Sequence, residues 1–323
     1  MFVKVISAPL IIVKLETLLR RLPFDHPKRK NIEEMLARRK AGYKGEKSLE
    51  FYLSQNPADQ FLIFHNLRLT YKEQKFQIDF LLLSAKQILI LEVKNYSGEL
   101  FFDKEFDQLF RTYKGKMECF PDPIAQVERQ HFHLEKWLQH QKLPSLPIEH
   151  LVVISNLSTI VRATPGYKKA YETVCKADHL LDKITSFEKK NSQQTWDKKL
   201  DTKLVGKAKK LFLMNDTMYE DNVLKKFEIN QSELLTGVFC PNCNHRPMEF
   251  KRSSWFCTNC RHLDHEVHKQ AINDYFLLIE PQLTNKKLRE FLGVPTQRQA
   301  NYLLNQLDLH SSGPNKNRIY SPF

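Results

Sequence analysis

Apolar and polar positions along the chain change period several times, and each change predicts a different element. LETLLRRL, near the start, sets apolar residues at helical spacing among lysines and arginines, and a basic run follows from Pro27 to Lys40. Residues 1–37 therefore read as a helical lead-in with no core of their own. From Gly42 the pattern sharpens: GYKGEKSLEFYLSQ predicts a helix, and FLIFHNLRLT, QKFQIDFLLLS and QILILEVKN predict strands that follow one another as a meander. ELFFD and the hairpin-like QLFRTYKGKMECF add short strands. PDPIAQVERQHFHLEKWLQ predicts a helix with Asp122 as N-cap and Pro123 in its first turn. IEHLVVISN, almost wholly apolar in its middle, predicts a buried strand. Residues 178–236 are lysine-rich and helical in pattern, a connecting region. Further on, AINDYFLLIE, TNKKLREFL and TQRQANYLLNQL predict three helices, the last two separated by GVP. No internal repeat is visible. The fold class expected is α/β, a mixed sheet flanked by helices over residues 38–177, with a small cysteine-bearing unit at 237–263 and a helical segment at 264–323.

Charge narrows the partners. Lys and Arg total 50 against 37 Asp and Glu in 323 residues, a formal +13, and such an excess favours polyanions through phosphate neutralisation and counterion release. Nucleic acid leads, DNA ahead of RNA, and an anionic membrane surface comes second. FVKVISAPLIIVKLE is interrupted by Pro9 and closed by Lys14, which predicts neither a signal peptide nor a membrane span. Six cysteines are too few for a disulfide framework in a chain of 323, so a reducing, cytoplasmic setting is expected. Cys119 and Cys175, outside the paired cysteines, read as buried structural thiols.

Candidate chemistry sits on the second and third strands of the meander. Glu92 and Lys94 are two apart, so on a strand both project from one face while Val93 points away. With Ala85 and Lys86 as a two-residue turn, residue 84 pairs with 87, and the same register sets Asp79 across from Glu92. A slip of one residue would send the carboxylates to opposite faces, and the turn holds neither Gly nor Asn to fix it. Two carboxylates and a lysine are costly to bury on an apolar hairpin unless they are paired or bind something. Mg²⁺, or Mn²⁺, resolves this: Asp79 and Glu92 supply oxygen ligands, waters and a phosphate oxygen complete the shell, and Lys94 orients or helps deprotonate the attacking water. A satisfied ion pair at a sheet edge, with no chemistry, explains the same residues. His131 and His133 lie on different faces of their helix and read as surface or packing residues.

Several motifs agree with the first reading. GYKGE (42–46), QID (77–79), EVKN (92–95) and DPIAQ (122–126), in this order, resemble the NERD (nuclease-related domain) family of the PD-(D/E)xK nuclease superfamily. Asp122 stands where the family has Asn. The resemblance spans about residues 38–155 and implies a restriction-endonuclease-like sheet and a nuclease. It also implies roles: Glu46 as a helix-borne carboxylate near the metal, Asp79 and Glu92 as metal ligands, Lys94 as the catalytic lysine, and Gln126 facing the site from the later helix.

FCPNCNHRPMEFKRSSWFCTNCRH carries two CxxC pairs, Cys240 with Cys243 and Cys257 with Cys260. Four thiolates at this spacing make a closed, structural Zn²⁺ ribbon rather than a redox pair. His245, His262 and His265 read as bystanders. Arg246, Lys251, Arg252, Trp255 and Arg261 give the ribbon a basic surface with an aromatic, suited to phosphates and stacking; the alternative places Trp255 in the small core. Thr284 and Thr296 read as N-caps of two helices around the Gly293 turn, a pair that resembles a helix-turn-helix. Its second helix offers Gln297, Arg298, Gln299 and Asn301 near its start, where such motifs read base edges or phosphates. The expectation is a Mg²⁺-dependent enzyme hydrolysing DNA phosphodiester bonds in processing, repair or defence, with any helicase supplied by another chain. A non-catalytic nucleic-acid-binding protein and an RNA-processing nuclease remain open beside it.

Overall fold

The computed structural model describes residues 1–55, 61–144, 146–193, 202–217, 222–314 and 318–322. The chain opens with β1 (Phe2–Lys4), α1 (Leu10–Arg21) and α2 (Arg29–Ser54). Two compact units form, Met1–Pro9 with Arg38–Tyr219 and Leu10–Ala37 with Glu220–Phe323, so the division falls inside α2. Residues 1–37, expected as a lead-in without a core, thus give β1 to one unit and α1 to the other. The apolar stripe of α1, with Ile11, Leu15 and Leu18, is buried against Val223, Leu224 and Leu278. These partners lie some 200 residues on, beyond any local window. The region 178–236 is likewise shared: α5 (Leu180–Gln193) and α6 (Thr202–Asn215) lie in the first unit, and α7 (Val223–Lys226) in the second.

The first unit is built on β2 (Leu62–Tyr71), β3 (Gln74–Leu83) and β4 (Ile88–Lys94), the expected antiparallel meander. β8 (Ile148–Ile154) and β10 (Val174–Lys176) extend it in parallel, giving a six-stranded mixed sheet in the order β1-β2-β3-β4-β8-β10. β5 (Glu99–Asp103), β6 (Gln108–Tyr113), β7 (Lys116–Pro121) and β9 (Ile160–Ala163) make a second sheet in the order β7-β6-β5-β9. α3 (Pro123–His140), followed after β9 by α4 (Lys168–Thr173), lies between β7 and β8 in sequence. One face of the main sheet packs Ile90, Val152 and Ile154 with Val127, Leu134 and Trp137 of α3. The other packs Leu89, Leu91 and Val153 with Leu49 of α2 and Leu180 of α5. Apolar on both sides, β4 reads as a continuous hydrophobic run for this reason.

The β3–β4 register is the expected one, Phe80 opposite Leu91 and Leu83 opposite Ile88. Ser84 does what a turn Gly or Asn would: its Oγ accepts from the backbone N–H groups of Lys86 (3.2 Å) and Gln87 (3.0 Å). Asp122 caps α3, accepting from Ile124 N at 2.9 Å, with Pro123 beginning the helix. Cys175 is buried and its thiol is pushed up to about 12 by burial. Cys119, expected to be buried, is exposed because β7 is the outermost strand of its sheet.

In the second unit, β11 (Glu249–Lys251), β12 (Ser254–Phe256) and β13 (Leu263–Asp264) form a three-stranded sheet. α8 (His268–Leu278), β14 (Leu283–Thr284), α9 (Asn285–Leu292) and α10 (Gln297–Asn305) follow. The side chains of Thr284 and Thr296 cap the last two helices, and Gly293 ends α9 at φ 74°. The terminal segment is not wholly helical: β16 (Ile319–Ser321) pairs with both β14 and β15 (His310–Ser312) in a small sheet, in the order β14-β16-β15. The buried Arg21 of α1 bonds Asp274 Oδ2 at 2.7 Å and the carbonyls of Leu235 and Gly237, which occupies the donors that burial removes from water.

Candidate active site and metal centre

The end of β4 brings the expected residues together. Lys94 Nζ donates to Glu92 Oε1 at 2.6 Å and to Gln126 Oε1 of α3 at 3.0 Å. Glu92 is only 3% exposed, and its second oxygen accepts from Gln130 Nε2 at 2.6 Å. Asp79 lies one residue beyond the last β3–β4 pair, and its Oδ2 accepts the backbone N–H of Val93 at 2.9 Å. Glu46 reaches in from α2, with Oε2 2.7 Å from Nε2 of the buried His65 on β2.

Electrostatics joins these groups. Burial first, then the charges of Glu92 and Glu46, pushes the Asp79 carboxyl well above the usual range; the Val93 N–H and Lys94 pull the other way and lose. Burial pulls the Lys94 ammonium down, but the charge and hydrogen bond of Glu92, with Asp79 and Tyr96 behind them, outweigh it and hold Lys94 above the ordinary lysine value. Two carboxylates, Glu92 and Asp79, thus act on one ammonium, and a third, Glu46, acts on Asp79. The repulsion that raises Asp79 is what a divalent cation would relieve, and two carboxylates with waters match the oxygen donors a hard cation takes. Asp79 and Glu92 offer carboxylate oxygens of that kind, and Glu46 lies within electrostatic reach of Asp79.

Sequence reasoning missed Gln130 and His65. Gln130 stands one helical turn after Gln126, a spacing that puts both on one face of α3. His65, in an otherwise apolar strand, gave no comparable signal. The second glycine of GYKGE also has a visible purpose: a Cβ on Gly45 would stand 2.5 Å from Asn95 Cβ and 2.7 Å from Ser155 Oγ, whereas one on Gly42 would meet nothing. Asn95 in turn donates to Ala41 O at 2.7 Å, tying the end of β4 to α2. His131 and His133 have packing partners, His150 (Nδ1 to Nδ1, 3.0 Å) and the Phe76 ring.

Among the described residues, one group of three or more His, Cys, Asp or Glu side chains has all its ligand atoms within 4.8 Å of one another: Cys240, Cys243, Cys257 and Cys260. The Sγ atoms of Cys240 and Cys260 are 3.6 Å apart, and those of Cys243 and Cys257 3.5 Å. A tetrahedron with Zn–S near ~2.3 Å has edges of about 3.8 Å, so the group can hold one zinc ion. The two knuckles share a shape: Cys240 N donates to His245 O and Asn244 N to Cys240 O, just as Cys257 N donates to His262 O and Arg261 N to Cys257 O. Asn244 and Arg261 sit at φ 57° and 61°, the left-handed position that lets each knuckle turn back.

The residues expected to touch nucleic acid separate into two sets. Arg246, Lys251, Arg252, Arg261, Gln297, Arg298 and Asn301 are exposed, and Gln299 is half-buried. Arg252 is at the tip of the β11–β12 hairpin, Lys251 pairs with Glu249, and Asn301 accepts from Asn285 at 2.7 Å. Arg246 joins Arg20 and Arg29 around a cavity of about 480 Å³ that also includes Phe24, a ring 90% exposed. Trp255 does not join them. It is 1% exposed, its indole N–H donates to His268 Nδ1 at 3.3 Å, and it packs against Phe250. Trp255 thus fills the ribbon core, which leaves no face for a base.

No helix among the described residues is long and apolar enough to cross a membrane. No curated protein and no solved structure matches the chain. Residues 41–155, the stretch that carries Glu46, Asp79, Glu92, Lys94 and Gln126, match the family NERD, the nuclease-related domain.

Proposed function

We propose that the protein is a divalent-metal-dependent nuclease that hydrolyses DNA phosphodiester bonds, in a cytoplasmic processing, repair or defence role. The observation that carries this reading is the cluster of half-buried Asp79 and Lys94 around buried Glu92, its acids in mutual repulsion, inside a segment that matches a nuclease-related family. Asp79 and Glu92 would hold Mg²⁺ or Mn²⁺, which when bound supplies charge neutralisation at the phosphate and a more acidic water. Lys94, raised above the ordinary lysine value, is protonated at neutral pH. As a donor it would orient the attacking water and stabilise charge on the phosphate oxygens. Gln126 fixes the ammonium, Gln130 fixes Glu92, and His65 fixes Glu46. The exposed cations of the ribbon and the start of α10, read as a helix-turn-helix, would hold the DNA backbone. The ribbon's Zn²⁺ is structural on this reading, and any helicase is a separate partner.

One observation favours a non-catalytic, nucleic-acid-binding protein instead: both Glu92 oxygens already accept hydrogen bonds, so the charges are partly satisfied without metal. Cleavage decides. Purified protein is incubated with single- and double-stranded DNA and with RNA, with Mg²⁺ or Mn²⁺, beside Asp79→Ala and Lys94→Ala. DNA cut by the native chain, and bound but uncut by both variants, is the expected result. Binding without cleavage under every metal would overturn the enzyme, and preferential cutting of RNA would overturn the substrate.

A further inference from the structure

A cleft of about 560 Å³ opens in the first unit between β9, α4 and β10, within the size range of pockets that take small ligands. Its floor is apolar, with Phe102, Val161, Ala170 and Val174. Arg162, Lys176, His179 and Lys183 stand around it, and no acidic side chain is among the described residues that line it. Two of these cations are pinned without being neutralised. Lys183 Nζ donates to the carbonyls of Tyr171 (2.9 Å) and Glu172 (3.1 Å), and Lys176 Nζ to that of Leu157 (2.5 Å). Arg162 and His179 do face acids, Glu99 at 2.9 Å and Asp182 at 3.7 Å. Tyr171, 59% exposed, offers a ring beside the floor.

The cleft also has a fixed relation to the candidate catalytic lysine. Lys176 pairs with Ile154 of β8, and Ile154 pairs with Lys94 of β4. The three residues form one row across parallel strands and share a face of the sheet, as do Glu92, Val152 and Val174 one step before them. Two strand spacings put Lys176 about 10 Å from Lys94, backbone to backbone, a span of about three nucleotides in a stacked strand.

We propose that this cleft is a subsite for an unpaired nucleotide of the strand being cut, a reading that rests on the nuclease assignment. Its base lies on the apolar floor against Tyr171, and its phosphate lies on Lys176 and Lys183. A paired base cannot enter a pocket walled on three sides by β9, α4 and β10, so the subsite selects ends or gaps that expose single strand.

The test is fluorescence anisotropy with the full chain, without added divalent metal, on a blunt DNA duplex and on the same duplex carrying a short unpaired tail. The tail is expected to tighten binding about ten-fold, the size of one stacked base. Tyr171→Ala and the double variant Lys176→Ala/Lys183→Ala lose that gain, and Tyr171→Ala keeps its affinity for the blunt duplex. No gain from the tail, or a gain that survives both variants, overturns the proposal. So does tight binding of adenosine monophosphate with no gain from the tail, which would make the cleft a free-nucleotide site. Mg²⁺ cleavage of both duplexes is scored separately. A tail gain without cleavage supports the subsite and removes the nuclease, while cleavage indifferent to the tail keeps the nuclease and removes the subsite.

Discussion

Gln130 Nε2 lies 2.6 Å from Glu92 Oε2, so Glu92 is gripped from two sides, by an amide on α3 and by the Lys94 ammonium on its own strand. The geometry leaves Glu92 little rotational freedom, and it makes Gln130 a positioning residue rather than a catalytic one. Replacing the amide by an apolar side chain of similar length leaves a buried carboxylate oxygen unpaired, at about 1–3 kcal/mol. Gln130→Met is therefore expected to lose stability by that amount, and to lower kcat about ten-fold with little change in KM. Steady-state cleavage kinetics beside a denaturant melt check this. An unchanged kcat at reduced stability would make the contact purely structural.

Asp79 carries a pH dependence whose sign is fixed by its surroundings. Burial and the neighbouring carboxylates raise its folded-state value above the unfolded one. Its contribution to stability is thus fully present below the ordinary carboxylate range and lost as pH rises through the raised folded value. Asn in its place keeps an acceptor for Val93 N–H and removes the charge. In Mg²⁺-free buffer the melting temperature of Asp79→Asn should exceed that of the native chain at pH 7–8, and the gap should close towards pH 4. A shift of about 2–4 °C per kcal/mol is expected for a unit of this size. Added Mg²⁺ should raise the native chain alone. A gap that is constant with pH would place the charge conflict elsewhere.

The β3–β4 hairpin was legible because a two-residue turn at Ala85 and Lys86 puts Asp79 and Glu92 on one face, and Phe80 opposite Leu91 is the register that turn gives. What closes the turn was not legible, since Ser84 acts through its side chain. Gln126 was reached through its motif, but Gln130 needed the depth of Glu92 in the sheet to explain a second amide. The core around α1 was hidden by distance, its partners Val223 and Leu278 being far along the chain. β15 and β16 are three residues each, too short to show alternation. Trp255 stood open in the sequence between a surface platform among basic neighbours and the small core, and the pleat of β12 turns it inward between two half-buried neighbours.

Gly45 and Gly42 belong to the same helix and the same motif, yet their substitutions should diverge. A methyl group on Gly45 drives into Asn95 and Ser155 at the ends of β4 and β8, an overpacking that costs about 1–3 kcal/mol. The displacement also moves Glu46, the next residue, so cleavage should fall with stability in Gly45→Ala. Gly42→Ala meets open space and gains helix propensity of up to about 1 kcal/mol. Paired thermal melts and cleavage rates distinguish the two. Equal, small effects would show that α2 can slide away from the sheet edge.

Thiol chemistry tests the zinc centre without any assay of function. Of the six cysteines, Cys119 is exposed, while Cys175 is buried with its thiol pushed up to about 12. The remaining four converge within 4.8 Å, and a bound ion would hold them as thiolates unavailable to a bulky reagent. The native chain should therefore carry one equivalent of zinc and show a single fast-reacting thiol, absent from Cys119→Ser. A strong chelator should release the zinc and expose the four ribbon thiols. It should also loosen the core that Cys240 and Cys257 share with Trp255 and Leu283, because binding energy at such a site is folding energy. Ribbon thiols that react at once in the freshly purified chain, with no zinc present, would mean that the knuckles fold on their own hydrogen bonds and that the sulfurs serve another purpose.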